Sequence, residues 1–432
     1  MRARTAIARA LYSTLLRLAL PLYLARLWWR GAAEPTYRLF LRERLGLPGP
    51  DARTGRVWLH AVSLGETRAA AALIAALRER IPGLHLLLTH GTATGREAGR
   101  ALLQDGDAQA WLPYDTPGAV RRFLRAHRPV LGVVMETEVW PNLLFEAQRQ
   151  GVPMVLANAR LSERSFAKGR RLAALLHPAL TTFARVLAQS DDDARRLSAS
   201  GAASVQVMGN LKYDLTPSAA LLAQGAAWRT AIARPVVLGA VTREGEETEL
   251  LAAWRALAAP RPLLLIVPRH PQRFDEVAGL VAAAGFALQR RSAWADAPPD
   301  AAHAADVWLG DSLSEMPLYY AAADVALLGG SFAPLGGQNL IEAAACGCPL
   351  VMGPHTFNFA EAATLALAAG AARRVADLPA AVAAAVQIAA SPERAAMSAH
   401  ALDFAARHRG AAVRMAGEIA LLLSQAPARP KA

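Results

Sequence analysis

The chain has 432 residues, enough for two domains of ordinary size. Apolar residues make up 53% and charged residues 19%, which excludes a disordered chain and leaves a protein with sizeable cores. A net charge of +12 points to anionic partners: nucleic acid, an anionic membrane surface or acidic small molecules.

The excess charge sits at the start. Nine arginines between Arg2 and Arg44 stand against Glu34 and Glu43, which puts +7 of the +12 in the first fifty residues. Leucines interleave with them, as do Tyr12, Tyr23, Trp28 and Trp29, a mixture that suits a membrane interface. The apolar run Ala10–Ala25 would be ~24 Å long as a helix, short of the ~30 Å hydrocarbon core. Arg17 lies inside it and Pro21 follows. No small-residue cleavage site follows a clean apolar run, so a signal peptide fits poorly. Residues 1–32 are expected to form a membrane-associated helix that lies at the interface, with a soluble amphipathic helix as the alternative.

Beyond this segment short apolar runs alternate with helical patterns. The runs are Val57–Val62, Leu84–Thr89, Val130–Met135, Pro153–Ala157, Val186–Ala188 and Val205–Met208. A second set follows: Val236–Gly239, Leu263–Val267, Val307–Leu309, Val325–Leu328 and Leu350–Met352. This is the pattern of two doubly wound α/β domains, which bind ligands at the carboxyl ends of their strands, in a cleft. The expected division is 33–216 for the first domain, 217–234 for a linker, 235–424 for the second domain and 425–432 for a tail. Cys346 and Cys348, one residue apart, read as small core residues in a reducing compartment.

The chemistry-bearing segments follow the strands. In His60-Ala-Val-Ser-Leu-Gly-Glu66 a strand ends, a tight turn follows and a helix begins near Glu66. A carboxylate there serves either the helix dipole or catalysis. Met135-Glu136-Thr-Glu138-Val-Trp140-Pro141 places two acids after another strand, beside groups that would desolvate them. Gly209-Asn-Leu-Lys212-Tyr-Asp214 carries one of three lysines in a chain with 44 arginines. A lysine kept in that company suggests that a compact ammonium is wanted. In the second half, Gly239-Ala-Val-Thr-Arg243-Glu-Gly-Glu-Glu247 has the form of an anion site at a helix start. Arg269 ends a strand where a guanidinium can fork onto a phosphate. Asp311-Ser-Leu-Ser-Glu315, Gly329-Gly-Ser-Phe332 and Gly336-Gly-Gln-Asn339-Leu-Ile-Glu342 also follow strands. In the last of these Asn339 is placed to cap a helix.

Taken together and in order, HAVSLGE, METEVWPN, NARLSERS, GNLKYD, REGEE, PRHPQRF and GGSFAPLGGQN resemble the motif set of the 3-deoxy-D-manno-octulosonic acid (Kdo) transferases, from about His60 to Phe359. The resemblance implies a GT-B fold and an N-terminal membrane-anchoring segment at the cytoplasmic side of the inner membrane. It implies inverting, metal-independent transfer of Kdo from CMP-Kdo to the tetraacyldisaccharide bisphosphate precursor of lipid A, with no cofactor. Residue by residue, it implies that Glu66 is the proton acceptor and that Glu136 and Lys212 stabilise the transition state. It implies that Pro268, Arg269, Leu313, Ser314, Glu315, Asn339, Leu340, Ile341 and Glu342 contact CMP. Arg243, the Leu313–Ser314 pair and Gln338 depart from the family's usual histidine, Met–Gly pair and histidine. Phosphates of the acceptor are expected among Arg68, Arg96, Arg100, Arg164, Arg170 and Arg171. A GT-B enzyme using a UDP-sugar is one alternative. A basic nucleic-acid-binding protein is another, opposed by the lack of any nucleic-acid-binding motif.

Overall fold

The apolar runs become strands of two parallel sheets in the computed structural model, which describes residues 2–49 and 52–425. The residues of the inner strands are nearly all buried, as parallel strands between helical layers must be. One unit comprises the chain up to Asp214 together with the residues from Arg409 onward, and the other comprises Leu215–His408.

The first unit carries β1 (Val57–His60), β2 (Leu86–His90), β3 (Ala108–Trp111), β4 (Leu131–Met135), β5 (Met154–Ala159), β6 (Arg185–Ala188) and β7 (Val205–Val207). Their order is β3-β2-β1-β4-β5-β6-β7. The direction of winding therefore reverses between β1 and β4, the point at which doubly wound sheets open a crevice for ligands. The segments that hold Glu66 and Glu136 follow these two strands. The second unit carries β8 (Val236–Thr242), β9 (Leu263–Pro268), β10 (Leu288–Arg290), β11 (Val307–Leu309), β12 (Val325–Leu328), β13 (Leu350–Met352) and β14 (Ala372–Arg374). Its order is β10-β11-β9-β8-β12-β13-β14, with the reversal between β8 and β12.

Two boundaries differ from those expected. Segment 217–234 is not a free linker. Helix Ala219–Ala231 packs on helix Met316–Ala322 of the second unit. A Cβ at Gly225 would meet the Leu318 carbonyl at 2.3 Å, so only glycine permits this approach. The chain end also leaves the second unit. Helix Ala411–Gln425 buries Met415 and Ile419 in the cluster that holds Leu73 and Leu77 of helix Leu64–Arg80, so 409–424 belongs with the first sheet. Asp214 accepts from the backbone N–H groups of Gly410 and Ala412 and so caps that helix, while Arg414 donates to the Met208 carbonyl. Of the expected tail, 426–432 lies outside the described residues.

The N-terminal helix, Arg2–Arg30, has the length and composition to cross a membrane. One side of it is fastened to the first unit. Tyr12 donates to Asp115 at 3.0 Å, buried Ser13 donates to Asn142 at 3.1 Å, and Tyr23 stacks on Tyr114. Another row, Ile7, Leu11, Leu15, Leu18, Leu22 and Trp29, is 57% to 84% exposed. Its spacing of three, four and seven residues puts it on one face of the helix.

Candidate active site

Glu66 occupies the first turn of helix Leu64–Arg80, immediately after β1. Ser63 is the N-cap, and its hydroxyl accepts from the Glu66 N–H. The Glu66 carboxylate reaches back and accepts from the Val62 N–H at 2.7 Å and from the Ser63 hydroxyl at 3.3 Å. This resembles a capping box, with the return bond made to the N–H of the residue before the N-cap, and the Ser-x-x-Glu spacing makes it legible in the sequence. The carboxylate therefore has a structural duty, yet it does not behave as a solvated cap. Burial pushes its pKa up to about 7; the Val62 hydrogen bond opposes the rise and the charges of Glu136 and Glu138 add to it.

Glu136 and Glu138 follow β4, the neighbour of β1. Glu136 has φ +55°, a conformation unusual for a residue other than glycine, of the kind that concentrates at functional sites. Arg160 stands 3.4 Å from its carboxylate. Glu138 accepts from the Trp140 indole N–H at 2.6 Å, but burial and the Glu136 charge raise its pKa. His60 Nε2 lies 3.9 Å from Glu138, which is ion-pair distance. Complete burial and the nearby His90, however, hold the His60 pKa down to about 3, so the imidazole is neutral and the contact is dipolar.

Lys212 joins this group from the far side of the sheet sequence. It lies in the short 3-10 segment Leu211–Asp214, and a chain of amides places that segment. Asn158 Oδ1 accepts from the Leu211 N–H at 3.0 Å, the Asn158 carbonyl accepts from Gln189, Gln189 accepts from Asn210, and Asn210 accepts from the Lys212 N–H. Asn158 is fully buried at φ +51°, where β5 loses register with β6. Burial lowers the Lys212 pKa; the charges of Glu136 and Glu66 act against this and that of Arg160 adds to it. The structure thus brings the three expected residues, Glu66, Glu136 and Lys212, into one electrostatic neighbourhood. It adds Arg160 and Asn158, for which the motifs alone suggest no role, and gives Glu138 and Ser63 defined partners.

The second unit repeats the device of irregular strand ends. Val241 has φ +58° at a break in the β8–β9 register, and a Cβ at the adjacent Gly329 would meet its carbonyl at 2.3 Å. Arg269 follows β9 and its N–H donates to the Thr242 carbonyl. Arg243, Arg269 and Arg273 are all close enough to His270 to lower its pKa, after burial, so four basic groups collect at the ends of β8 and β9. Ser314 has φ +64°, and Glu315 accepts from Arg291 and Ser312. Leu340 and Ile341 are buried, side chain and backbone alike. Asn339 stands at the N-cap of helix Leu340–Ala345, but its side chain makes no capping bond there.

Two further expectations need correction. The N–H groups at Arg243 and Gly330 do not form an open anion site. The buried Glu246 carboxylate accepts from both at 2.8–2.9 Å and pins the Gly329–Phe332 turn to the helix start. Arg96 is not available to a phosphate, because it is buried in an ion pair with Glu43 at 2.9 Å. Arg68, Arg100, Arg164, Arg170 and Arg171 are exposed. Among the described residues no group of three or more His, Cys, Asp and Glu side chains is placed to hold a metal ion.

A family model for 3-deoxy-D-manno-octulosonic-acid transferase (kdotransferase) matches residues 40–215. The 3-deoxy-D-manno-octulosonic acid transferase of Bordetella pertussis is 51% identical over 93% of this chain and 96% of its own length. That of Haemophilus influenzae is 36% identical over 82% of this chain and 84% of its own. Among solved structures, Anabaena Alr3699/HepE in complex with UDP superposes with a TM-score of 0.57 at 16% identity, covering 86% of this chain and all of that one. A glycosyltransferase from Rickettsia africae superposes with a TM-score of 0.56 at 12% identity, over 86% of this chain and 99% of that one. These two likenesses are likenesses of fold.

The crowding at β1 and β4 gives a direct expectation. Carbon-13 NMR of the Glu66 carboxyl should titrate with a midpoint near 7, and Glu136→Gln or Glu138→Gln should lower that midpoint by removing a like charge. A midpoint in the ordinary glutamate range, unmoved by either substitution, would contradict the electrostatic description.

Proposed function

The chain belongs to the Kdo transferase family and is a glycosyltransferase, and we propose that it moves Kdo from CMP-Kdo to the tetraacyldisaccharide bisphosphate precursor of lipid A. The observation that carries the mechanism is Glu66: a carboxylate with a pKa of about 7 at the crevice end of the sheet. A general base works best with a pKa near the working pH, because both the ionised fraction and the proton affinity are then substantial.

In this reading Glu66 takes the proton from the attacking hydroxyl of the acceptor. The hydroxyl oxygen bonds to the anomeric carbon of Kdo as the bond to the CMP phosphate oxygen breaks. One displacement by one nucleophile inverts the configuration and needs no enzyme-bound sugar. Kdo carries a carboxylate beside its anomeric carbon, which partly stabilises an oxocarbenium-like transition state. The departing phosphate takes the negative charge, and cations supply the remaining stabilisation. Lys212 is suited to this because its ammonium is compact and partly desolvated, and Glu136 holds local charge balance with Arg160. We assign CMP to the second unit, where Pro268, Arg269, the turn Leu313–Glu315 and the segment Asn339–Glu342 stand at the ends of β9, β11 and β12. Each of these steps is made by side chains and backbone; the proposed transfer is metal-independent.

We assign the exposed apolar row of the N-terminal helix to the surface of an anionic membrane, at the cytoplasmic face of the inner membrane. Arg4, Arg17, Arg26 and Arg30 on the same helix suit anionic headgroups. Lying flat satisfies two facts at once: the helix is fastened along one side by Tyr12 and Ser13, and its other side is apolar.

Two experiments test these assignments. Incubation with CMP-Kdo and the acceptor should give a lipid heavier by Kdo on mass spectrometry, and Glu66→Gln should cut turnover by roughly 10²-fold or more at unchanged thermal stability. A folded glutamine variant with near wild-type turnover would leave Glu66 a capping residue only. Leu18→Asp with Leu22→Asp should release the protein from vesicles containing phosphatidylglycerol, since each charge would have to enter the interface. Undiminished vesicle binding by that double variant would refute the membrane assignment.

A further inference from the structure

A groove beside Glu138 takes no part in the chemistry above. It measures about 490 Å³ and lies wholly within the first unit. That volume is within the ~300–1,000 Å³ common to small-molecule sites. Its apolar lining comes from three elements: Leu11 and Leu15 of the N-terminal helix, Val139 and Trp140 after β4, and Leu175 and Leu176 of helix Ala173–Leu180.

Three observations select an occupant. Leu11 and Leu15 also belong to the exposed apolar row of the N-terminal helix, so apolar surface continues from the proposed membrane face into the groove. Glu138 lines the groove and also raises the pKa of Glu66, so the groove adjoins the carboxylate cluster. Arg171 lines it too, and is exposed on a segment that carries Arg164 and Arg170. An apolar chain in the groove would thus leave a polar, anionic headgroup between carboxylates and arginines. A nucleotide would instead place its hydroxyls against leucines and leave them unpaired.

We propose that this groove holds one acyl chain of the acceptor lipid and so presents the acceptor hydroxyl to the carboxylate cluster. The proposal rests on the acceptor being a lipid. The groove selects the acceptor by chain length, because every methylene that enters it leaves water, worth roughly fourfold in affinity.

The test uses the full chain, saturating CMP-Kdo, and acceptor analogues with acyl chains of roughly four to eight carbons, kept below their micelle-forming concentrations, plus the fully deacylated headgroup. Wild type should show KM falling roughly fourfold per added methylene. Ala174→Trp and Ala8→Trp fill the groove from two different walls and change no group assigned to catalysis. Each should raise KM for the longest chain about tenfold or more and flatten the length dependence, while turnover of the deacylated headgroup stays unchanged. Equal loss on all acceptors, or no loss on any, in both variants overturns the proposal. So does a short-chain phosphatidylglycerol that competes as well as the acceptor's own chain, because the groove would then be a general lipid site. If wild type transfers nothing to any acceptor, the reading of the reaction fails. If wild type transfers to all with the same KM, the groove alone fails.

Discussion

Removing one carboxylate from water governs the rest of this site. Glu66 sits where β1 gives way to its helix, and a carboxylate there would normally be fully ionised and stabilised by the helix dipole. Burial together with Glu136 and Glu138 reverses that preference and brings the pKa to about 7. Like charges brought together in a partly dry site repel, so the fold must hold them in place by other means. It does so with rigid attachments: Ser63 and Val62 on Glu66, Trp140 on Glu138, and Arg160 on Glu136. The half-buried Lys212 supplies compensating charge, and its position depends on a relay of amides that begins at Asn158.

Both units solve the problem of presenting groups at a strand end by the same means. A bulged residue with positive φ, Asn158 in β5 and Val241 in β8, breaks the ladder where the strand would otherwise continue. A buried polar side chain near the bulge then pins a neighbouring segment through its backbone N–H groups. Asn158 accepts from Leu211, and Glu246 accepts from Arg243 and Gly330. These anchors explain motif residues that touch no substrate in the proposed reaction. NARLSERS and REGEE hold the turns that carry the chemistry.

Much of this was legible in the sequence. The central strands announced themselves as apolar runs, because strands covered on both faces must be apolar throughout. The three strands missed, β3, β10 and β14, all lie at sheet edges, where only part of each short strand is covered and Gln109, Arg290 and Arg373 are tolerated. Chain order says nothing about the return crossing of helix Ala411–Gln425 to the first unit, where Asp214 caps it. Glu66, Glu136 and Lys212 stood out by composition and motif. Asn158 and Glu246 did not, since their roles come from backbone N–H groups that only the folded bulges expose. The burial of Arg96 is hidden from the sequence for a similar reason: its partner Glu43 is 53 residues away.

In the proposed mechanism the ionisation of Glu66 switches transfer on. The pH dependence of kcat/KM for the lipid acceptor tests this most directly, because that ratio reports the free enzyme. The rate should fall tenfold per pH unit below about 7, with one proton involved, and the limb should shift to lower pH in Glu138→Gln as a like charge is removed. A rate that stays level down to the ordinary glutamate range near 4.5, in a protein still folded there, would show that Glu66 does not accept the proton.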